Sequence, residues 1–218
     1  MATVRTTRLD PQQVLAAAEQ LVADRGWEGL TMAALAAELG VRAPSLYRHV
    51  ESIDALRNAL RLRSLLEMGE AVRAAVMGKS GLEGLHALTD AYRAYGQTHP
   101  VRYLAQIGLP GDEATREAGR RVGEAGYAVL ASLGLTADEL PVATAQLAAL
   151  VHGFVSLELV QTIDWVTDPD AAYHGLVELF AAGLHHRSRS SFSSERSHEN
   201  DATAATNAKR QGVRRVDR

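Results

Sequence analysis

The stretch that decides the fold lies at residues 31–50 and reads TMAALAAELGVRAPSLYRHV. Thr31 can cap a helix with apolar residues at helical spacing, and Gly40 ends that helix with a residue that tolerates the left-handed conformation. A second short helix is predicted over 42–50. Two short helices joined by a tight glycine-containing turn are typical of a helix-turn-helix unit, whose second helix enters the DNA major groove.

The outer face of this second helix is polar and rich in hydrogen-bond donors. On a helical wheel, Leu46 and Val50 face the preceding helices, whereas Pro44, Ser45 and Arg48 point the other way. Such a face suits contacts with base edges and phosphates. The spacing alone is equally compatible with a helix corner in a protein that binds no DNA.

Helical patterns continue up to residue 187, and no alternating strand pattern or hairpin signal is evident. Five of the six prolines stand where a helix can begin, because the first turn needs no proline N–H. We therefore expect an all-α protein with about nine helices. The predicted helices lie at roughly 11–26, 31–39, 42–50, 53–77, 82–98, 100–107, 112–133, 141–162 and 169–187.

Composition excludes several classes of protein. The 218 residues include no cysteine, which excludes a disulfide framework, a thiolate zinc site and a cysteine nucleophile. The chain has no apolar run of about 18 residues and no apolar core of a secretion signal, so we expect a cytoplasmic protein that does not enter a membrane. No nucleophile elbow, paired-carboxylate pattern or metal-ligand spacing is found. We therefore predict no enzyme activity, no metal and no cofactor.

Charge is distributed unevenly along the chain. The net charge of −3 argues against a protein that binds DNA through bulk positive charge. Residues 1–63 carry eight Lys+Arg against seven Asp+Glu, residues 64–187 eight against fifteen, and residues 188–218 seven against four. DNA binding by the first segment must then rest on a few well-placed groups.

These patterns divide the chain into three parts. Residues 1–55 are predicted to form an N-terminal helix-turn-helix domain, and residues 56–187 a helical-bundle domain. Residues 188–218 contain two valines and one phenylalanine as their only large apolar residues. Because such a segment cannot bury enough apolar surface to offset chain entropy, we expect a disordered tail.

Residues 14–60 resemble the N-terminal domain of the TetR family of bacterial transcriptional regulators. The matching elements are Arg25-Gly26-Trp27, Leu30-Thr31, Leu35-Ala36, Leu39-Gly40-Val41, Leu46-Tyr47, Val50 and Leu56. The resemblance implies a three-helix helix-turn-helix domain, followed by helices that bind a small-molecule effector and form a homodimer. It also implies a repressor that leaves a near-palindromic double-stranded DNA operator when the effector binds.

The resemblance assigns roles to individual residues in the first domain. Thr31 corresponds to a phosphate contact and Tyr47 to a tyrosine that reaches a phosphate, with a plain N-cap and a half-buried core aromatic as the respective alternatives. The variable reading surface corresponds to Arg42, Ala43, Pro44, Ser45, Arg48 and His49. The family pattern has a lysine where Ile53 stands, so one expected phosphate contact is missing.

The second domain carries weaker signals. Residues 150–159 and 100–103 resemble a subgroup named for a Trp…His-Gly signature, although the tryptophan expected before His152 is absent. Polar-tipped or aromatic residues on apolar helices can orient a ligand, with ordinary packing as the alternative for each one. The candidate effector-pocket residues are Tyr92, Tyr95, Tyr103, Gln106, Tyr127, His152 and Trp165.

The last two predicted helices, 141–162 and 169–187, are long, apolar and rich in small residues. They are predicted to form a four-helix bundle between two subunits, with an internal pair of core helices as the alternative. Two other functions also stay open. One is an architectural DNA-binding protein without an effector, and the other is a helical-bundle enzyme that retains the helix-turn-helix.

Overall fold

The computed structural model describes residues 9–107 and 111–184, which form helices joined by turns, with no strand among them. The helices are α1 Pro11–Gly29, α2 Met32–Glu38, α3 Ala43–Leu46, α4 Ile53–Val76, α5 Gly81–Thr98, α6 Pro100–Ala105, α7 Glu113–Ser132 and α8 Leu140–Leu159. A ninth helix, α9, covers 169–184, as far as the described residues extend. The predicted all-α fold is confirmed, whereas the tail predicted at 188–218 lies outside the described residues.

The starts of the helices follow the signals in the sequence. Proline occupies one of the first two positions of α1, α3, α6 and α8. The side chain of Asp10 accepts a hydrogen bond from a first-turn N–H of α1 at 3.0 Å, and Thr31 does the same for α2 at 3.1 Å. Just before α8, the carboxylate of Glu139 accepts hydrogen bonds from the N–H and the hydroxyl of Thr136, both at 2.9 Å.

Two helix ends in the first half differ from the prediction. Gly26 adopts a left-handed φ of 69°, as expected for the end of α1, but helical structure resumes and reaches Gly29. The predicted helix 42–50 is wrong in length, since α3 has four residues. Beyond α3 the carbonyl of Leu46 accepts from the N–H of His49 at 2.8 Å and from the N–H of Val50 at 2.9 Å, so the turn mixes three-residue and four-residue spacings.

The helix predicted at 141–162 also ends early. α8 stops at Leu159, and the chain then runs through turns in which Gln161 has a positive φ of 56°. Positive φ is unfavourable for a residue with a side chain and cannot continue a right-handed helix. The segment from there to α9 is therefore a loop.

The described residues bury two hydrophobic clusters. The smaller cluster joins α1, α2 and α3 to the start of α4, and Leu35, Leu46 and Leu60 are fully buried in it. The larger cluster joins α4 to the helices that follow. α4 contributes to both clusters, so one continuous helix crosses the boundary predicted after residue 55. The alanine of α6 at position 105 also reaches the smaller cluster.

α8 is apolar on its exposed side as well as its buried side. Its core-facing residues recur every four positions and are Ala143, Leu147, Val151 and Val155. On the other side, large apolar residues such as Leu157 and Val160 are about half exposed. By length and composition alone α8 is apolar enough to cross a membrane, yet only 22% of its most apolar window is buried within the chain. An exposed apolar face of this kind marks a contact surface.

Candidate nucleic-acid interface and effector cavity

The turn formed by α3 and the residues after it presents polar side chains on one face. Leu46 and Val50 are buried and hold this segment against α1 and α2. Ala43 of the predicted reading surface is partly buried. The other five members are exposed: Arg42, Pro44, Ser45, Arg48 and His49. The structure thus leaves five of the six predicted reading residues accessible, and His49 among them also lines a pocket with residues of α1 and α4.

The two predicted phosphate contacts border the same surface. Tyr47 is 56% exposed, so its ring is not a core aromatic and its hydroxyl is accessible. Thr31 is exposed while its hydroxyl oxygen caps α2, which leaves the hydroxyl hydrogen available to donate to a phosphate. N-capping and phosphate contact are therefore compatible at this residue.

Ile53 begins α4 and packs against the smaller hydrophobic cluster. The departure from the family's lysine at this position therefore exchanges a charged group for apolar packing. The next cation along α4, Arg57, bonds Asp54 at 3.3 Å and lies 5.8 Å from the ring centre of Trp27. Arg57 ties the end of α1 to the start of α4.

An ion-pair network connects α1 to the second half of the chain. The guanidinium of Arg102 in α6 donates to both carboxylate oxygens of Glu19 in α1, at 2.7 and 2.9 Å, and to Glu67 in α4 at 2.8 Å. Glu67 also accepts hydrogen bonds from Arg63 at 2.8 Å and from the hydroxyl of Tyr95 at 3.1 Å. Burial acts to raise the pKa of Glu67, but these donors together lower it.

A cavity of about 40 Å³ lies between α5, α7 and α8. Its lining residues are Leu88, Thr89, Tyr92, Gly123, Gly126, Thr144, Leu147, Ala148, Val151 and His152. Two of them, Tyr92 and His152, belong to the predicted effector set and stand edge to face, with ring centres 5.7 Å apart. A third predicted residue, Tyr103 in α6, contacts the cavity wall. Its hydroxyl lies 2.8 Å from Nδ1 of His152.

The polar groups of this cavity are uncharged at neutral pH. Burial lowers the pKa of His152, so its imidazole is neutral. Burial also raises the pKa of Tyr92 to about 12 and raises that of Tyr103, so both phenols keep their protons. The Tyr103 hydroxyl can then donate to Nδ1 of His152, an arrangement that places the imidazole proton on Nε2.

Thr144 also lines the cavity, and a search of the sequence for aromatic residues does not find it. Its hydroxyl oxygen is buried and has no hydrogen-bond partner among the described residues. Thr144, Ala148 and His152 follow one another at four-residue intervals on α8, so they share a face of the helix. That spacing is the signal in the sequence that could have found Thr144.

The remaining predicted effector residues lie away from the cavity. Tyr95 bonds Glu67, and the side-chain amide of Gln106 donates to the Ser64 hydroxyl at 2.7 Å. Tyr127 is on α7 and is exposed. The preceding residue, Gly126, faces the cavity, so the side chain of Tyr127 points away from it. Trp165 is 77% exposed in the loop after α8.

Histidine and carboxylate residues outside the cavity form pairs. His86 bonds Glu178 at 2.9 Å, and His174 bonds Asp90 at 3.2 Å, which ties α5 to α9. In residues 9–107 and 111–184 no group of three or more potential ligands is placed to hold a metal ion.

Comparison with known proteins gives two family matches. Residues 14–60 match the family described as bacterial regulatory proteins, tetR family, and residues 85–180 match the family described as tetracyclin repressor-like, C-terminal domain. Together the matches include α2, α3 and the cavity-lining helices. The Trp…His-Gly subgroup stays a prediction.

Individual proteins agree with these matches. The chain is 33% identical over 189 residues to an uncharacterized HTH-type transcriptional regulator, Rv0681, of Mycobacterium tuberculosis, covering 85% of this chain and 86% of that protein. A TetR variant from Acinetobacter baumannii in complex with minocycline has a TM-score of 0.64 at 24% identity, over 82% of this chain and 98% of that one. BioQ with its natural double-stranded DNA operator has a TM-score of 0.58 at 23% identity, over 80% and 99%. The chain therefore belongs to the TetR family of bacterial transcriptional regulators.

Proposed function

We propose that this protein is a homodimeric repressor that binds a near-palindromic operator and releases it when a small molecule occupies the cavity between α5, α7 and α8. The observation that carries the proposal is an uninterrupted chain of contacts. His152 in the cavity bonds Tyr103, the neighbouring Arg102 bonds Glu19, and Glu19 belongs to the helix that supports the reading surface. This function needs no catalytic step and no cofactor.

The exposed face of α3 supports the DNA-binding half of the proposal. Arg42 and Arg48 supply cationic donors, and the serine and tyrosine between them supply hydroxyl groups. A bidentate arginine–base contact contributes about 1–3 kcal/mol of discrimination. With so few placed groups, one copy binds weakly, and two copies related by a two-fold axis are needed. The solved relative BioQ, which has a similar fold, is bound to a double-stranded operator.

The exposed apolar side of α8 and α9 supports the dimer. Leu157 of α8 and Val160, directly after the helix, are about half exposed, and Leu179 of α9 is 72% exposed. Exposed glycines and alanines on both helices allow close approach of a second copy. A four-helix bundle between subunits removes this apolar surface from water without a membrane. A cytoplasmic protein, located at the nucleoid when bound to its operator, accords with that arrangement.

Release requires two states of the protein that differ in the position of α6. A ligand that moves His152 disturbs the hydrogen bond with Tyr103 and shifts the short helix that also carries Arg102. The shift then reaches α1 through Glu19. Coupling between two sites typically amounts to about 1–3 kcal/mol, which is a change in operator affinity of roughly 5- to 150-fold.

Operator binding is the first test of the proposal. The full chain is mixed with DNA from upstream of its own gene and with a shuffled control of equal length, and binding is followed at several salt concentrations. We expect a sequence-specific complex that weakens as salt rises. Absence of a specific complex would contradict the proposal. A specific complex that no small molecule releases would favour an architectural protein without an effector.

A further inference from the structure

We propose that the cavity ligand is an uncharged, short-chain apolar molecule that bears one hydrogen-bonding oxygen, recognised by Thr144. The inference rests on the proposed function in taking this cavity as the effector site. It goes further by naming the chemical class of the ligand.

The walls of the cavity exclude a charged ligand. Leu88, Leu147 and Val151 supply apolar surface, and the two glycines of α7 contribute backbone without side chains. All ten residues that line the cavity are uncharged types once His152 is neutral. A carboxylate or an ammonium group placed there would be buried without a counter-ion, which is strongly unfavourable.

The Thr144 hydroxyl specifies an oxygen on the ligand. The buried Thr144 hydroxyl has no partner among the described residues, so a ligand atom that pairs with it removes the cost of an unsatisfied polar group. When Nδ1 of His152 accepts from the Tyr103 hydroxyl, the imidazole carries its proton on Nε2 as a donor. His152 lies eight residues beyond Thr144 on α8, about 12 Å along the helix axis, so one ligand oxygen bonds the Thr144 hydroxyl and not the imidazole as well.

The volume of the cavity limits the size of the ligand. A cavity of about 150 Å³ holds a benzene molecule, whereas this one measures about 40 Å³. On that scale the cavity itself has room for about one or two heavy atoms, so a four-carbon chain must extend beyond it. The open backbone at Gly123, where an added methyl group would meet no atom within 4 Å, gives such a chain space to extend along α7.

A matched set of four-carbon probes tests the inference. The full chain is titrated with 1-butanol, 1-chlorobutane, butyrate and butylamine, and the methyl resonances of Leu88 and Val151 are followed by NMR. We expect saturable shifts with 1-butanol, weaker binding of 1-chlorobutane, and no binding of the two charged probes. Binding of butyrate or butylamine as tight as that of 1-butanol would overturn the inference.

Two variants make the test specific to the hydroxyl. Thr144→Val keeps the shape of the side chain and removes the orphan oxygen, so it should keep or raise thermal stability. It should also weaken 1-butanol binding about tenfold and leave 1-chlorobutane binding unchanged. Thr167→Val makes the same chemical change at an exposed position before α9 and should change neither affinity. Equal 1-butanol affinities for the wild type and Thr144→Val would overturn the role of Thr144.

Operator binding by the same samples separates this inference from the proposed function. Operator binding without any response to 1-butanol would overturn the ligand class and leave DNA recognition standing. Saturable binding of 1-butanol by a protein that ignores its operator would support the ligand class and contradict the repressor.

Discussion

Arg102 and Glu19 form a bidentate ion pair. The Nε and Nη2 atoms of the arginine lie 2.7 and 2.9 Å from the two carboxylate oxygens. The pair joins α6 to α1 across 83 residues of sequence. The two side chains are only 16% and 17% exposed, so water screens the interaction less than it screens a surface pair. Since Tyr103, the next residue, bonds His152 in the cavity, a single short helix contacts both the cavity and α1.

The first prediction concerns this pair. Arg102→Gln removes the strongest donor to Glu19 and leaves Arg63, 3.8 Å from Glu19 and 2.8 Å from Glu67, as the remaining shared cation. We expect the free energy of unfolding to fall by about 1–3 kcal/mol. Glu19→Gln should cost less, because Arg102 keeps its bond to Glu67 at 2.8 Å. Urea denaturation of both single variants and the double variant measures the coupling.

The same variants test communication between the two sites. In Arg102→Gln an effector that releases wild-type protein from its operator should release little or none, while binding of the effector is retained. Strictly additive losses of stability in the double-mutant cycle, together with normal release, would show that the pair does not link the sites.

The second prediction concerns the reading surface. Arg48 is exposed just after α3, so Arg48→Ala should change stability by no more than about 0.5 kcal/mol. Operator affinity of the dimer should fall roughly 30- to 25,000-fold, as expected for the loss of one base contact of about 1–3 kcal/mol in each of two subunits. Fluorescence anisotropy with labelled operator measures the change. Arg121→Ala, an exposed arginine on α7, is the matched control and should bind as wild type.

The third prediction concerns the subunit contact. Leu179→Glu places a charge on the exposed apolar side of α9, where it would be buried against a second copy. Sedimentation should show a monomer, and operator affinity should fall because the two reading surfaces are no longer linked. Leu66→Glu makes the same change on α4 at a residue that is 52% exposed, and it should stay dimeric. If the Leu179→Glu protein is still a dimer, the subunit interface does not include this side of α9.

The features that the sequence predicted well are local ones. Thr31 and Asp10 cap helices because the cap residue and its N–H partner lie within three positions of each other. Such interactions close within one turn of chain, so the residue types nearly determine them.

The features that the sequence missed depend on tertiary packing. Nothing near Glu19 in the sequence indicates Arg102, and the pair exists only because α6 packs against α1. The aromatic residues of the second domain share one chemistry but point in different directions. Tyr92 lines the cavity, whereas Trp165 lies in an exposed loop. Helix ends and helix rotation determine which of these side chains contact one another. The amino-acid composition encodes neither.

The fourth prediction is a pH dependence that comes from His152. Burial lowers the pKa of this imidazole in the folded protein below its ordinary value of 6.5. Above pH 6.5 the residue is neutral in both the folded and the unfolded state and contributes no pH dependence. Below pH 6.5 the unfolded chain takes up a proton that the folded protein resists. The free energy of unfolding therefore falls as the pH falls, by up to about 1.4 kcal/mol per pH unit for one group.

Urea denaturation between pH 7.5 and pH 5 measures this slope. The lower limit avoids the range in which the carboxylates of Glu67 and Asp112, whose pKa values are lowered by their hydrogen-bond donors, also take up protons. His152→Gln keeps an acceptor for the Tyr103 hydroxyl and removes the titrating group, so its slope should be smaller than that of the wild type. His174→Gln removes an exposed histidine and serves as the control. Identical slopes for wild type and His152→Gln would show that a buried neutral imidazole does not contribute to stability in this range.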